Sequence, residues 1–242
     1  LGGVVVVVLW FCCFSHRAPP RSTLCPCSTA SDLIFHGCDL MCTFCVIPYR
    51  RGRQVGRPSP GVALEVEALA SRGVKEVTLL GQTVDAYGYD LPDTPNLADL
   101  FTQLNDIDGI ERIRFLTSHP KFMTQEIIQA VADLPKVCEH INLPVQAGDD
   151  GILSEMRRQY SRAEYVELVG RIRAAMPEVA LNTDIIVGFP GETEEQFQQT
   201  LDLLSELRLD KVHCAAYSTR PGTIASRTMD DAVPRSEEHT SE

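Results

Sequence analysis

From Leu33 to Ser218 the sequence alternates short apolar runs with longer amphipathic ones, and no other feature restricts the possible folds as strongly. LIFHG (33–37) is a short apolar run closed by glycine. Residues 59–72 carry Val62, Leu64, Val66, Leu69 and Ala70 among acidic neighbours, which predicts a helix stopped by Gly73. EVTLLG (76–81) predicts the second strand, NLADLFTQL (96–104) a helix with Asn96 as its cap, and RIRFLTS (112–118) the third strand. The cycle continues with TQEIIQAVADL, a helix opened by Thr124, then the strand HINLPV (140–145), then RAEYVELVGRIRAAM (162–176) behind Ser161. ALNTDIIVGF (180–189) is the fifth strand, ETEEQFQQTLDLLSEL a helix with acids at its positive end, and VHCAAYS (212–218) the sixth strand.

Each connection is long enough for a helix and too long for a hairpin, so the strands form a parallel sheet with right-handed crossovers. An open doubly wound sheet and a barrel both satisfy this pattern. Both gather reactive groups at the carboxyl ends of the strands. The informative residues fall there: Cys38, Gln82, Ser118 with His119, Gln146, Gly188, and Ser218 to Arg220.

A chain of 242 residues can bury a full core, and no run reaches the roughly eighteen apolar residues that would cross a bilayer. The net charge of -11 excludes an evenly basic nucleic-acid surface. It leaves room for local patches: Arg50, Arg51, Arg53 and Arg57 form one, and Arg157, Arg158 and Arg162 a second. Charge runs of this kind are otherwise solvated loops.

The 9 cysteines are clustered, unlike the scattered spacing of a disulfide framework. Cys138 and Cys214 lie in apolar runs and read as small buried hydrophobes. HGCDLMCTFCVIPYRRGR instead places Cys38, Cys42 and Cys45 on one loop as C-x3-C-x2-C. Structural zinc takes four ligands, so these three would need His36 or a distant thiol to complete a zinc site. A four-iron cluster also normally takes four thiolates. With three, one iron keeps an open position that a molecule bearing an amine and a carboxylate can chelate.

Other segments have plainer readings. GFPGE (188–192) lacks the Gly-Lys-Ser/Thr ending of a phosphate loop and reads as a tight turn with Glu192 near a helix start. His119, before Pro120, is held extended and is either a substrate contact or a turn histidine with a structural hydrogen bond. Residues 1–30 lack the basic flank and cleavage site of a secretory signal and are left as an unassigned leader, in which Cys12, Cys13, Cys25 and Cys27 are a second metal site or unpaired thiols. RSEEHTSE (235–242) reads as the translation of a sequencing adapter and is set aside, leaving 31–234 as the core domain.

Several further motifs occur in order: CVIPYRRGR followed by GRP, LLGQTVDAYG, RIRFLTSHP, HINLPVQAGDD, DIIVGFPGETEEQF and YSTRPGT. With CDLMCTFC they resemble the methylthiotransferases of the radical S-adenosylmethionine superfamily, over about Leu33 to Pro234. The resemblance is greatest to the branch that makes 2-methylthio-N6-isopentenyladenosine beside the tRNA anticodon. LLGQTVDAYG favours that branch over the ribosomal-protein one.

This resemblance implies an α/β fold, a partial (β/α)6 TIM-like barrel, with a [4Fe-4S] cluster on Cys38, Cys42 and Cys45 and S-adenosyl-L-methionine at its open iron. It implies that Phe44 packs near the cofactor, that Gln82 meets its amino group, and that Ser118, Gln146 and Asp184 hold other polar groups. Arg50, Arg51, Arg53, Arg57, His119 and Arg220 become the candidate RNA contacts. The implied partners are tRNA and an electron donor such as flavodoxin or ferredoxin, for a monomer in the cytoplasm with no membrane association.

The family also carries a second [4Fe-4S] cluster on an N-terminal domain and a C-terminal RNA-binding domain, and the sequence here matches neither. The expectation is therefore cluster binding and cofactor cleavage without the full reaction. Two alternatives stand beside it: methylthiolation of threonylcarbamoyladenosine in tRNA or of a ribosomal protein, and a non-enzymatic, zinc-stabilised nucleic-acid-binding module.

Overall fold

The computed structural model describes residues 29–230 and Val233; Cys12, Cys13, Cys25, Cys27 and the tail at 235–242 lie outside the described residues. The elements follow in chain order as β1 (Thr29–Leu33), β2 (Phe35–His36), α1 (Ile47–Arg51), β3 (Val55–Gly56), α2 (Ser59–Ser71) and β4 (Glu76–Leu80). After a 3-10 turn (Val84–Ala86) come α3 (Leu97–Asn105), β5 (Arg112–Phe115), α4 (Gln125–Asp133), β6 (His140–Asn142) and α5 (Asp150–Glu155). The chain continues through α6 (Arg162–Ala175), β7 (Ala180–Val187), α7 (Glu194–Leu207), β8 (Lys211–Ala216) and α8 (Ile224–Thr228).

The six principal strands run parallel in sequence order. β4 pairs with β1 and with β5, and β7 pairs with β6 and with β8. The two halves join where Ile113 bridges Val137 and Ser118 N donates to Asn142 O at 3.1 Å. β1 and β8 are the two edges, so the sheet curves as a partial barrel that does not close. The short antiparallel pair β2 and β3 stands apart and brackets the cysteine loop.

From α3 onward the helices begin where side chains can satisfy their free amides, whereas α1 and α2 start without a side-chain cap. Asn96 with Asp99, Ser161 with Glu164 and Thr193 with Gln196 form reciprocal capping boxes, and Thr124 caps the amide of Ile127. α7 starts at Glu194, two residues later than the acidic run predicts, because the Glu192 carboxylate turns back to accept from Gly188 N at 2.6 Å.

Leu79, Ile113, Phe115, Ile141, Leu181 and Ile185 on the strands pack against Leu100, Phe101, Ile128, Leu168, Ile172 and Leu203 on the helices to form the main core. A second, smaller cluster sits at the carboxyl edge and joins Ala147, Ile152, Leu153, Met156, Phe189, Tyr217 and Ala225, with Phe44 against it.

Three expectations about elements change. The first strand is residues 29–33 instead of 33–37. As an edge strand it buries few side chains, and its one buried residue is Asp32, held by Arg57, so TASDL shows no apolar run. The fourth strand ends at Asn142, because Pro144 cannot donate to a ladder and Gln146 takes a positive φ of 73°. Cys214 is exposed and Cys138 only half-buried: β8 is an edge strand with an open outer face.

Gly148 shows how closely α7 is pressed onto the end of β6. A Cβ there would lie 2.6 Å from both Gln199 O and Thr200 Cα, while Gly148 N donates to Thr200 Oγ1 at 2.9 Å. Gly148→Ala is therefore expected to destabilise the chain by about 1–3 kcal/mol. Urea denaturation reads this as a lower midpoint at unchanged slope, and an unchanged midpoint contradicts the packing described.

Candidate active site

The cysteine loop is fixed at both ends and in the middle. At its start Gly37 has φ 76°, and a Cβ there would fall 2.0 Å from Arg53 O, so only glycine allows the two backbones to approach. Cys38 N donates to Gly52 O at 3.2 Å. In the middle, Thr43 Oγ1 donates to Glu155 O at 2.8 Å and Thr43 N to Met156 O at 3.2 Å. Ala225 N donates to Thr43 O at 2.9 Å. One buried threonine thus satisfies free carbonyls at the end of α5 and a free amide at the start of α8.

The three thiols have different surroundings. Cys38 Sγ lies 3.8 Å from Thr83 Oγ1, and Cys42 Sγ is buried and accepts from Arg158 Nη1 at 3.6 Å. Burial raises the pKa of Cys38 and of Cys45; backbone amides of Leu40 and Ile47 oppose this, and the neighbouring thiols add to it. The three sulfurs are therefore electrostatically coupled. Among the described residues no three His, Cys, Asp or Glu side chains converge on one ion position, and His36, the nearest candidate for a fourth zinc ligand, is exposed on β2. The donor set is three thiols on one loop, which fits a cluster with one open corner better than tetrahedral zinc.

Beside the loop, the ends of β4 and β5 present unpartnered polar atoms. Gln82 Oε1, Ser118 Oγ and His119 Nε2 are buried without a hydrogen-bond partner. Native interiors rarely leave such groups unsatisfied, so three together mark a place for a polar ligand. Gln82 and Ser118 are two of the expected cofactor contacts. The other two adjoin each other, but only one lies at a strand end. Gln146, past the end of β6 and in left-handed backbone geometry, donates its backbone amide at 2.9 Å to the carbonyl of Asp184, which stands inside β7 because that strand runs on to Val187. Burial raises the Asp184 pKa, while His213, Asn142 and Arg158 oppose the shift. Strained backbone of this kind persists where surrounding structure holds it and clusters at functional sites.

Asp85 and His119 form the buried floor between β4 and β5. Both Asp85 carboxylate oxygens accept from His119 N, at 3.0 and 2.8 Å, and Val84 N donates to Thr117 O at 2.8 Å. Burial pushes the Asp85 pKa up to about 8. His119 is only 3% exposed, its Nδ1 accepts from Lys121 N, and its ring meets the Tyr160 ring edge-on at 5.5 Å. Burial, with Arg158 and Lys121 adding to it, lowers the His119 pKa to about 2.

The arginines divide. Arg50, Arg51, Arg53 and Arg220 are exposed, with Arg53 paired to Asp39 and Arg220 near enough to Cys45 to lower its pKa. Arg57 is tied at 2.5 Å to both Asp32 and Glu65. The second basic patch does not form. Arg158 is buried and Arg162 pairs with Glu206, because the turn after α5 folds Arg158 inward. A cavity of about 510 Å³ opens beside that turn; Asp150, Ser154, Arg157, Arg158 and Tyr160 help to line it, and none of the three cysteines does.

Thr43, Asp85, Arg158 and Tyr160 were missed as site residues from the sequence. Thr43 stands between two of the cysteines and Asp85 inside LLGQTVDAYG, so position alone could have flagged both. No helix among the described residues is long and apolar enough to cross a membrane.

Comparison with known proteins adds to this geometry. Residues 33–204 match the family model described as the Radical SAM superfamily. A tRNA-2-methylthio-N(6)-dimethylallyladenosine synthase from Dehalococcoides mccartyi (strain CBDB1) is 55% identical over 206 residues, covering 85% of this chain and 49% of that protein. The synthase of the same name from Herpetosiphon aurantiacus is 54% identical, covering 80% and 44%. The chain spans about half the length of the curated relatives it matches. Among solved structures, a radical S-adenosylmethionine methyltransferase from Kitasatospora setae superposes with TM-score 0.68 at 19% identity, covering 82% of this chain and 38% of that one. Coproporphyrinogen III oxidase from Escherichia coli gives 0.61 at 20% identity, covering 86% and 49%.

The two buried groups set opposite pH dependences. His119 is held below its ordinary pKa, so its contribution to stability is present above about pH 6.5 and lost as pH falls. Asp85 is held above its ordinary pKa, so its contribution is present below about pH 4 and lost as pH rises toward 8. Relative to the unmodified chain, His119→Gln should gain stability as pH drops from 7 to 5, and Asp85→Asn as pH rises from 5 to 8, each by about 1 kcal/mol per pH unit. Urea midpoints across that range check both; differences that do not vary with pH contradict the buried, neutral forms.

Proposed function

The chain belongs to the Radical SAM superfamily, and on that footing we propose that it is the radical-generating core of an enzyme that adds a methylthio group to carbon 2 of isopentenylated adenosine beside the tRNA anticodon. The observation that carries the reading is the cysteine loop docked at the carboxyl edge beside the unpartnered Gln82 Oε1 and Ser118 Oγ. The high identity to synthases of that name, over most of this chain, supports the substrate.

Superfamily membership implies a [4Fe-4S] cluster and S-adenosylmethionine. When bound, the two together supply an electron and a carbon-centred radical able to abstract hydrogen. Cys38, Cys42 and Cys45 would hold the cluster by thiolate, leaving its fourth corner to the cofactor. Gln82 Oε1 is an acceptor, suited to an ammonium. Ser118 Oγ, which can both donate and accept, suits a carboxylate or a hydroxyl. Gln146, past β6, and Asp184, within β7, add donors and an acceptor, and Phe44 closes the apolar side by packing on the small cluster that holds Phe189 and Tyr217. His119, buried and neutral, keeps its Nε2 proton as a donor within the site; exposed Arg50, Arg51, Arg53 and Arg220 would meet RNA phosphates at the rim. To the described residues we assign cluster binding and cofactor cleavage. A second cluster and the sulfur donor belong to the whole protein, acting in the cytoplasm with a flavodoxin- or ferredoxin-type reductant.

After anaerobic reconstitution and reduction, the chain is expected to convert S-adenosylmethionine to methionine and deoxyadenosine, and Cys42→Ala to bring deoxyadenosine to background in a chromatographic assay. Cleavage retained by Cys42→Ala overturns the ligand assignment. Deleting the full-length gene in its source should remove 2-methylthio-isopentenyladenosine from digested tRNA. An unchanged nucleoside profile, or loss of the threonylcarbamoyl derivative instead, overturns the substrate.

A further inference from the structure

Arg158 is 7% exposed, carries a permanent charge, and forms no ion pair: the arginine and lysine ion pairs among the described residues involve Arg53, Arg57, Lys75, Arg112, Arg114 and Arg162. Its guanidinium is spread over neutral groups. Nη2 donates to Pro144 O at 2.9 Å, Nε donates to Tyr160 OH at 2.9 Å, and the cation lies 5.3 Å from the Tyr160 ring centre. The remaining nitrogen, Nη1, reaches Cys42 Sγ at 3.6 Å. Asp85 and Asp184 feel its charge from further away, and His119 is pushed toward its neutral form by it.

A buried cation without a close counter-charge is unfavourable, and proteins rarely keep one without a reason. Metal ligation supplies that reason, because a cysteine that binds a metal does so as thiolate. Once Cys42 is a ligand, its sulfur carries the negative charge that Arg158 otherwise lacks. The fork geometry also holds that donor in place, since two other contacts fix the guanidinium plane.

We propose that Arg158 is a positioning residue that donates a charge-assisted hydrogen bond to the Cys42 ligand sulfur and thereby makes the cluster easier to reduce. The inference rests on the reading of Cys38, Cys42 and Cys45 as cluster ligands. Hydrogen bonds to ligand sulfurs and the net charge around a cluster set its potential, and both effects here stabilise the more negative, reduced state. Cys42 alone among the three receives such a bond from a buried guanidinium; Cys38 has the neutral Leu40 amide and Thr83 hydroxyl, and Cys45 the neutral Ile47 amide with exposed Arg220 at a distance. The asymmetry makes Cys42 the ligand through which the protein tunes the cluster.

The test is a redox titration of the reconstituted 242-residue chain, following the reduced cluster by electron paramagnetic resonance, for the unmodified protein, Arg158→Met, Arg158→Lys and the exposed control Arg171→Gln. Arg158→Met is expected to lower the ratio of reduced to oxidised cluster at a fixed potential by tenfold or more, which is 59 mV for a one-electron couple. Arg158→Lys, which keeps the charge, should fall between, and the control should not move. A cluster-loaded Arg158→Met with the unmodified protein's potential overturns the proposal. If that variant does not accumulate as a folded chain, Arg158→Gln, which keeps a donor without charge, is read against the same two outcomes. An unmodified chain that forms no four-iron spectrum marks failure of the cluster reading itself, and is thereby told apart from failure of the role given to Arg158.

Discussion

The site depends on Thr43. A loop between β2 and α1 carries all three clustered cysteines, yet its position is set by residues more than a hundred places further along the chain. The Thr43 hydroxyl and amide close the end of α5, and the Thr43 carbonyl opens α8. Each bond satisfies a helix-terminal group that lacks an intrahelical partner, and this ties the loop to elements that exist only when the second half of the sheet has formed. Loop, small apolar cluster and strand ends therefore assemble as one unit, with Phe44 as the apolar contact and Thr43 as the polar one.

Around that unit the protein holds its ionisable groups in unusual states by burial. Asp85 and His119 are both kept neutral over a wide pH range, and Asp85 spends its carboxyl oxygens on the backbone amide of His119. Arg158 cannot lose its charge and is the exception. A floor of neutral groups under one fixed cation suits the binding of thiolates and a zwitterionic cofactor, because it supplies positive potential at a chosen sulfur and little competing charge elsewhere.

Much of the architecture was legible because helix and strand periods differ and because caps have chemical signatures. Asn96, Thr124 and Ser161 were read as helix starts and cap the helices observed. The parallel sheet followed from connection lengths, and its sequence-order topology from the resemblance. The failures have physical causes. β1 hid because an edge strand with a buried Asp32–Arg57 pair shows no apolar run, and the 6-residue α5 is too short to show a period. Arg158 looked like part of a basic patch, since a single sequence does not show that a short turn will fold a charged side chain inward onto a cysteine 116 places away. The cysteine triplet was plain from spacing, whereas Asp85 and Thr43 act through backbone contacts that have no local pattern.

The central claim is that three cysteines hold a four-iron cluster with one corner left for a small molecule. Adding S-adenosylmethionine to the reduced, reconstituted chain and recording the electron paramagnetic resonance spectrum tests this directly. A shift in the cluster signal in samples frozen before the cofactor is cleaved is what the account predicts. A cluster spectrum that ignores the cofactor, or a chain that takes up zinc in place of iron, contradicts it.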